Sequence, residues 1–203
     1  MKEKIVFATG NEGKMREIRL ILADLGMEIL SMKEAGVSCQ IVEDGKTFGE
    51  NAEIKAKAVW NVTGGIVLAD DSGLVIDYLG GEPGVYSARY LGEDTSYQYK
   101  NQVIIERVKE AKGSERSARF VCNIAAVLPD GAVVHTEAAM EGMIAETAAG
   151  SQGFGYDPIL YIPEFGMTSA ELSIEQKNKI SHRGKALEQM KNKLKELYGG
   201  KMV

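Results

Sequence analysis

The chain has 203 residues, 44% hydrophobic and 26% charged, enough for one domain, or one domain with two lobes, around a sizeable core. Its net charge of −5, with no long run of one sign, leaves no electrostatic footprint for a nucleic-acid polymer or an anionic membrane, although a few lysines and a metal ion could still hold a small anion. Cys39 and Cys122 lie far apart without His or Cys companions, which argues against a zinc site or disulfide scaffold, and the opening apolar run is too short for a signal peptide or membrane span; a cytoplasmic protein is expected.

Ile5 to Ala8 reads as a buried strand, followed by the polar turn Thr9-Gly10-Asn11-Glu12-Gly13-Lys14. Met15, Ile18, Leu22 and Leu25 then recur at helical spacing. Strand, Gly-containing turn and helix point free backbone N–H groups at an anion, with Lys14 in the first helical turn. The spacing is not that of a P-loop, and the same residues also describe an ordinary turn with Asn11 as helix cap. Glu28 to Ser31 reads as a short strand. Thr47 with Glu50 has capping-box spacing and starts a helix that turns Phe48, Ala52, Ala56, Val59 and Trp60 inward. Glu43 and Asp44 precede it, either as solvated charge at the helix's positive end or as partners of Asp71 on a divalent cation.

Gly65 to Ala69 is a buried strand that runs into Asp70-Asp71, and Ser72-Gly73 is expected to turn the chain before Leu74 to Asp77 resumes an extended pattern. Two adjacent carboxylates at the end of an apolar strand need a reason, because an unpaired buried charge costs several kcal/mol, roughly. They are turn caps or a metal or catalytic site. Gly80 to Gly84 is a loop, Val85 to Tyr90 a short helical turn, and Tyr97 to Ala111 a helix. Arg119 to Leu128 and Val133 to Ala139 form a hairpin about Pro129 to Ala132, with Met140 to Ala145 extending it. Gly150 to Pro158 sets Phe154, Tyr156 and Asp157 among three glycines: a flexible turn, or a loop offering an aromatic face to a nucleobase. Lys177 to Lys185 then leads into Leu187, Met190, Leu194 and Leu197 at helical spacing, with Ser181 as candidate cap and His182 and Arg183 in the first turn, where cations oppose the helix dipole. No repeat or linker divides residues 1–203, so one domain is expected, with an α/β architecture built on a mixed sheet with flanking helices.

An anion cradle, a carboxylate cluster, an aromatic loop and a Lys/His/Arg set are the parts that a nucleoside triphosphate on Mg²⁺ requires. The motifs Thr9-Gly10-Asn11-x-x-Lys14, Phe48-x-Glu50-Asn51-Ala52, Ala69-Asp70-Asp71-Ser72-Gly73-Leu74, Gly153-Phe154-Gly155-Tyr156-Asp157-Pro158 and Ser181-His182-Arg183, in this order, resemble those of the inosine triphosphate pyrophosphatase family, the dITP/XTP pyrophosphatases, over residues 4 to 198. The resemblance implies two lobes around a central nucleotide-binding cleft. It also implies Mg²⁺-dependent hydrolysis of ITP, dITP and XTP to the monophosphate and pyrophosphate, keeping deaminated purines out of DNA and RNA, by a homodimer. Carried over by position, Thr9, Gly10, Asn11, Glu12, Gly13 and Lys14 hold the triphosphate. Asp71 accepts the proton of the attacking water and binds metal with Glu43, and Ser72 touches the substrate. Phe154, Gly155, Tyr156 and Asp157 line the base pocket, and Lys177, His182 and Arg183 donate to the 6-keto oxygen. Asp44 departs from the glutamate common beside Glu43. Two alternatives remain: a pyrophosphatase for other modified nucleotides, and a nucleotide-binding module without catalysis.

Overall fold

A computed structural model describes residues 3–198. Seven strands form one sheet in the order β2-β1-β3-β4-β5-β6-β7, comprising β1 (Lys4–Phe7), β2 (Glu28–Ser31), β3 (Ile66–Ile76), β4 (Ser117–Val127), β5 (Val133–Ile144), β6 (Leu160–Ile162) and β7 (Met167–Thr168). β1 pairs in parallel with β2 and β3, whereas β5–β6 and β6–β7 are antiparallel, so the sheet is mixed, as expected. The turn after Leu128 joins β4 directly to its sheet neighbour β5, which only an antiparallel pair permits. Among the described residues five α-helices flank the strands: α1 (Glu12–Leu22), α2 (Phe48–Thr63), α3 (Tyr97–Arg107), α4 (Ile174–Ile180) and α5 (His182–Tyr198).

The chain divides into two compact units. The first holds residues 3–71, 122–138 and the described chain from Arg183 on; the second holds 72–121 and 139–182. β3, β4 and β5 each contribute residues to both.

In the first unit the period of two along the strands sorts residues between two cores. Ile5, Phe7, Ile66 and Leu68 pack with Met15, Ile18 and Leu22 of α1 and with Ala186, Leu187, Met190 and Leu194 of α5. Val6, Val67 and Ala69 pack on the other side with Ala52, Ala56 and Val59 of α2. Asn11 caps α1 by accepting from the Lys14 N–H at 3.0 Å. The capping box of Thr47 and Glu50 is formed at α2, and Gly64, at φ +61°, ends that helix.

The second unit has its own core, including Leu74 and Ile76 of β3, Ile104 of α3, Phe120 of β4, and Tyr156, Ile159 and Leu160. The turn expected at Ser72-Gly73 is absent, and β3 runs through it for 11 residues. Leu74 is buried and its N–H donates to Ser87 Oγ at 2.9 Å, so packing and an outside partner override the local turn preference of Ser-Gly. β6, β7 and α4 were not foreseen. The signal for α4 was present, since Ser173 and Gln176 form a capping box. Ser181 is the C-cap of α4 and immediately precedes α5, the position expected of that helix's cap, whereas Leu197 of α5 is half exposed rather than inward.

Candidate active site

Asp70 and Asp71 are neighbours in an extended strand, and their side chains have separate sets of partners. Asp70 is buried and lies on the α1 and α5 side. Lys14 Nζ donates to both of its oxygens, at 2.9 and 3.2 Å, and Arg183 Nε donates to Oδ2 at 3.2 Å. Arg183 is itself buried, and its Nη1 reaches Glu17 at 3.5 Å. Burial alone would raise the Asp70 carboxyl, but Lys14 and then Arg183 outweigh it and hold the group well below the usual carboxylate range.

Asp71 has its partners on α2. Asn51 Nδ2 donates to its Oδ2 at 3.2 Å, and Lys55 Nζ donates to its Oδ1 at 3.1 Å. The same ammonium reaches Glu43 Oε2 at 2.8 Å, so two carboxylates converge on one cation. Burial pushes the Asp71 carboxyl above its ordinary value, and the attraction of Lys55 and the bond from Asn51 only partly offset it. Lys55 is raised as well: burial works against its charge, but the attraction of Asp71, Glu43 and Asp70 together prevails. Asp71 is therefore the more basic of the two adjacent carboxylates.

A cavity of about 340 Å³ lies in this unit, lined by Thr9, Gly10, Lys14, Glu43, Lys55 and Asp70, with Ala8, Met32, Cys39 and Ile41. Asp71 is not part of its lining; it acts on that wall through Lys55. Glu12, Gly13 and Asn11 are exposed at the start of α1, and the Asn11 side chain is engaged as the helix cap. Asp44 is exposed, unlike half-buried Glu43.

In the second unit, Asp157 gathers three donors. The Phe154 N–H and Lys177 Nζ reach its Oδ2 at 2.8 and 2.7 Å, and Ser169 Oγ reaches Oδ1 at 2.7 Å. Gly155, at φ +66°, lies against Tyr97, whose ring packs edge-on to Tyr156 at 5.2 Å. Asn101 Nδ2 donates to the Gly155 carbonyl at 3.1 Å. Phe154 is 65% exposed. His182 stacks on Phe120 with ring centroids 5.1 Å apart.

Thus Lys14 and Arg183 meet at Asp70, Glu43 joins Asp71 through Lys55, and Asp157, Lys177 and the Phe154 backbone form one knot. Ser72 sits next to Asp71 in β3, the first residue of the second unit. Lys55, Glu17 and Ser169 were missed from sequence, and Asn51 was part of a motif but had no role assigned to it. Asn51 and Lys55 are four residues apart, hence on one helical face, which was the available signal for both. Nothing local marks Ser169.

The model of the Ham1 family matches residues 5–193. A dITP/XTP pyrophosphatase of Clostridium perfringens is 45% identical over 199 residues, spanning 95% of this chain and 98% of the relative. One from Thermus thermophilus is 49% identical over 184 residues, spanning 91% and 88%. The solved structure of a HAM1 protein from Coxiella burnetii superposes with a TM-score of 0.89 at 42% identity, covering 96% of this chain and 99% of that one. With a matching family model over nearly all its length and relatives this similar, the chain belongs to the Ham1 family, as its five motifs implied.

Proposed function

We propose that this protein hydrolyses nucleoside triphosphates of deaminated purines, ITP, dITP and XTP, to the monophosphate and pyrophosphate. The observation that carries the reading is the Glu43–Lys55–Asp71 cluster beside a cavity that Lys14 also lines. The names of the curated relatives support it. In this reading Thr9 to Lys14 hold the triphosphate, with backbone N–H groups at the start of α1 and the Lys14 ammonium facing its charge. Asp71 takes a proton from the attacking water as the new O–P bond forms at the α-phosphorus. The α–β bridging bond breaks, and pyrophosphate leaves with its electron pair. Lys55 keeps Asp71 and Glu43 oriented. Ser72 contacts the substrate. Phe154 stacks on the base, Gly155, Tyr156 and Asp157 shape its pocket, and Lys177, His182 and Arg183 favour a 6-keto oxygen. Adenine presents an amino group there, which would leave buried donors unpaired.

Among the described residues no group of three or more His, Cys, Asp or Glu could hold a metal by itself. Two carboxylates converging on one cationic point do suit Mg²⁺, which is bound by one or two carboxylates together with substrate phosphates. Glu43 and Asp71 would hold it, and when bound it would neutralise phosphate charge and polarise phosphorus. We read residues 1–203 as one functional domain, acting as a homodimer in the cytoplasm, where the free thiols of Cys39 and Cys122 stay reduced. Among the described residues no helix is long and apolar enough to cross a membrane. Removal of deaminated purines from the precursors of DNA and RNA is the role this activity would serve.

The test measures products from ITP, dITP, XTP, GTP and ATP with Mg²⁺. Pyrophosphate is expected from the first three, with ATP and GTP far slower. Orthophosphate as the first product, or equal turnover of ATP and ITP, would overturn the reading. Asp71→Asn is expected to lower kcat by about a thousandfold, a typical loss for a positioned general base.

A further inference from the structure

We propose that Ser169 is a positioning residue for the base-recognition loop, setting the place of Phe154 and Lys177 through the carboxylate of Asp157. The proposal rests on the reading of that loop as the base site.

Ser169 follows β7 and is completely buried. A buried hydroxyl needs a partner, and this one donates to Asp157 Oδ1 at 2.7 Å. Its backbone is pinned as well, with the N–H on the Leu160 carbonyl at 2.7 Å. Asp157 is also buried, and its other oxygen, Oδ2, receives the Phe154 N–H and the Lys177 ammonium. With Oδ1 fixed by Ser169, the carboxylate plane cannot rotate, and Oδ2 has a single direction from which to hold both groups.

The loop is fitted to that arrangement. A Cβ on Gly153 would lie 2.2 Å from Asp157 Oδ2 and 2.7 Å from Lys177 Nζ, so the backbone passes directly against the ion pair. A Cβ on Gly150 would lie 2.4 Å from the Ala170 carbonyl, whose oxygen accepts from the Ser151 and Gln152 N–H groups at 3.1 and 2.8 Å. The residues flanking Ser169 thus anchor one end of the loop, and its hydroxyl governs the other. Asp157 has three donors on it and little exposure. It therefore serves base recognition by aiming Phe154 and Lys177, rather than by presenting a free carboxylate.

The experiment compares wild type, Ser169→Ala and Ser169→Cys, with Ile104→Val as a control that loosens the core of the same unit and leaves every hydrogen bond to Asp157 in place. Two readouts are taken: amide hydrogen exchange at Phe154, and KM and kcat for ITP. In Ser169→Ala the Phe154 amide is expected to exchange faster and KM to rise about tenfold, the effect of one charge-assisted hydrogen bond, with kcat nearly unchanged. Ser169→Cys, which keeps a weak donor, is expected to fall between Ala and wild type. Ile104→Val is expected to change neither readout. An unchanged Phe154 exchange rate in Ser169→Ala would overturn the proposal, whether or not ITP is turned over. Faster exchange with unchanged KM would do the same, since the hydroxyl would then serve the fold alone. A wild-type protein that does not hydrolyse ITP would instead overturn the function proposed above, while the exchange readout would still decide the role of Ser169.

Discussion

At Asp70 a carboxylate with almost no exposure is held ionised by two cations, one from each helix packed on its side of β3. Breaking such a cluster from one side leaves uncompensated buried charge, which is costlier than the intact cluster is stabilising. Because the folded-state carboxyl titrates below its unfolded value of 3.8, its stabilising contribution is present above that pH and is lost as pH falls toward the folded value. Asp70→Asn is therefore expected to lower stability at pH 7. It should also flatten the acid limb: below about pH 4 the unfolding free energy of wild type should fall more steeply, by up to about 1.4 kcal/mol per pH unit for one proton. Urea titrations across that range, in metal-free buffer, measure both effects. Asp71 differs in kind. Burial outweighs its partners, its carboxyl is raised, and ionising it costs the fold something as pH rises through that value. One residue of the pair stabilises by being charged, while the other is the more readily protonated.

The separation originates in the elements. A strand turns successive side chains to opposite faces, and α1 with α5 covers one face while α2 covers the other. α2 sets the surroundings of Asp71, since Asn51 and Lys55 both grip it from one face of that helix. Its start is fixed by the capping box, in which Thr47 Oγ1 accepts from the Glu50 N–H at 3.1 Å. Thr47→Ala is expected to cost about 1 kcal/mol in a urea titration, with Glu50→Ala similar and the double substitution less than their sum, because the two side chains form one motif. That capping box, the strand periodicity of β1 and the spacing of Met15, Ile18 and Leu22 were legible in the sequence because each is a local pattern. The straight passage of β3 through Ser72-Gly73 was not, since it depends on Ser87, far along the chain, meeting Leu74. The same limit applied to the site. Asp71 was visible as an anomalous charge at the end of an apolar strand, and Lys14 and Glu43 came only with the family resemblance, whereas Ser169 looks ordinary until Asp157 is placed against it.

Across the whole chain, acidity is global and basicity local. A net charge of −5 coexists with Lys14, Lys55, Arg183 and Lys177, each paired with a carboxylate. A small polyanion can compete for such cations, whereas a long one also meets the repulsion of the surrounding surface. The grip of α2 on Asp71 also bears on how the chain tolerates changes of length. One residue inserted between Asn51 and Lys55 would rotate Lys55 by about 100° about the helix axis and take its ammonium off Asp71. The same insertion between Pro129 and Asp130, both exposed in the turn between β4 and β5, meets neither core nor site. In a library of single-residue insertions selected for ITP turnover, survivors are expected at that turn and none between positions 51 and 55, so the molecule's evolvable lengths are its loops and its fixed length is that one turn of helix.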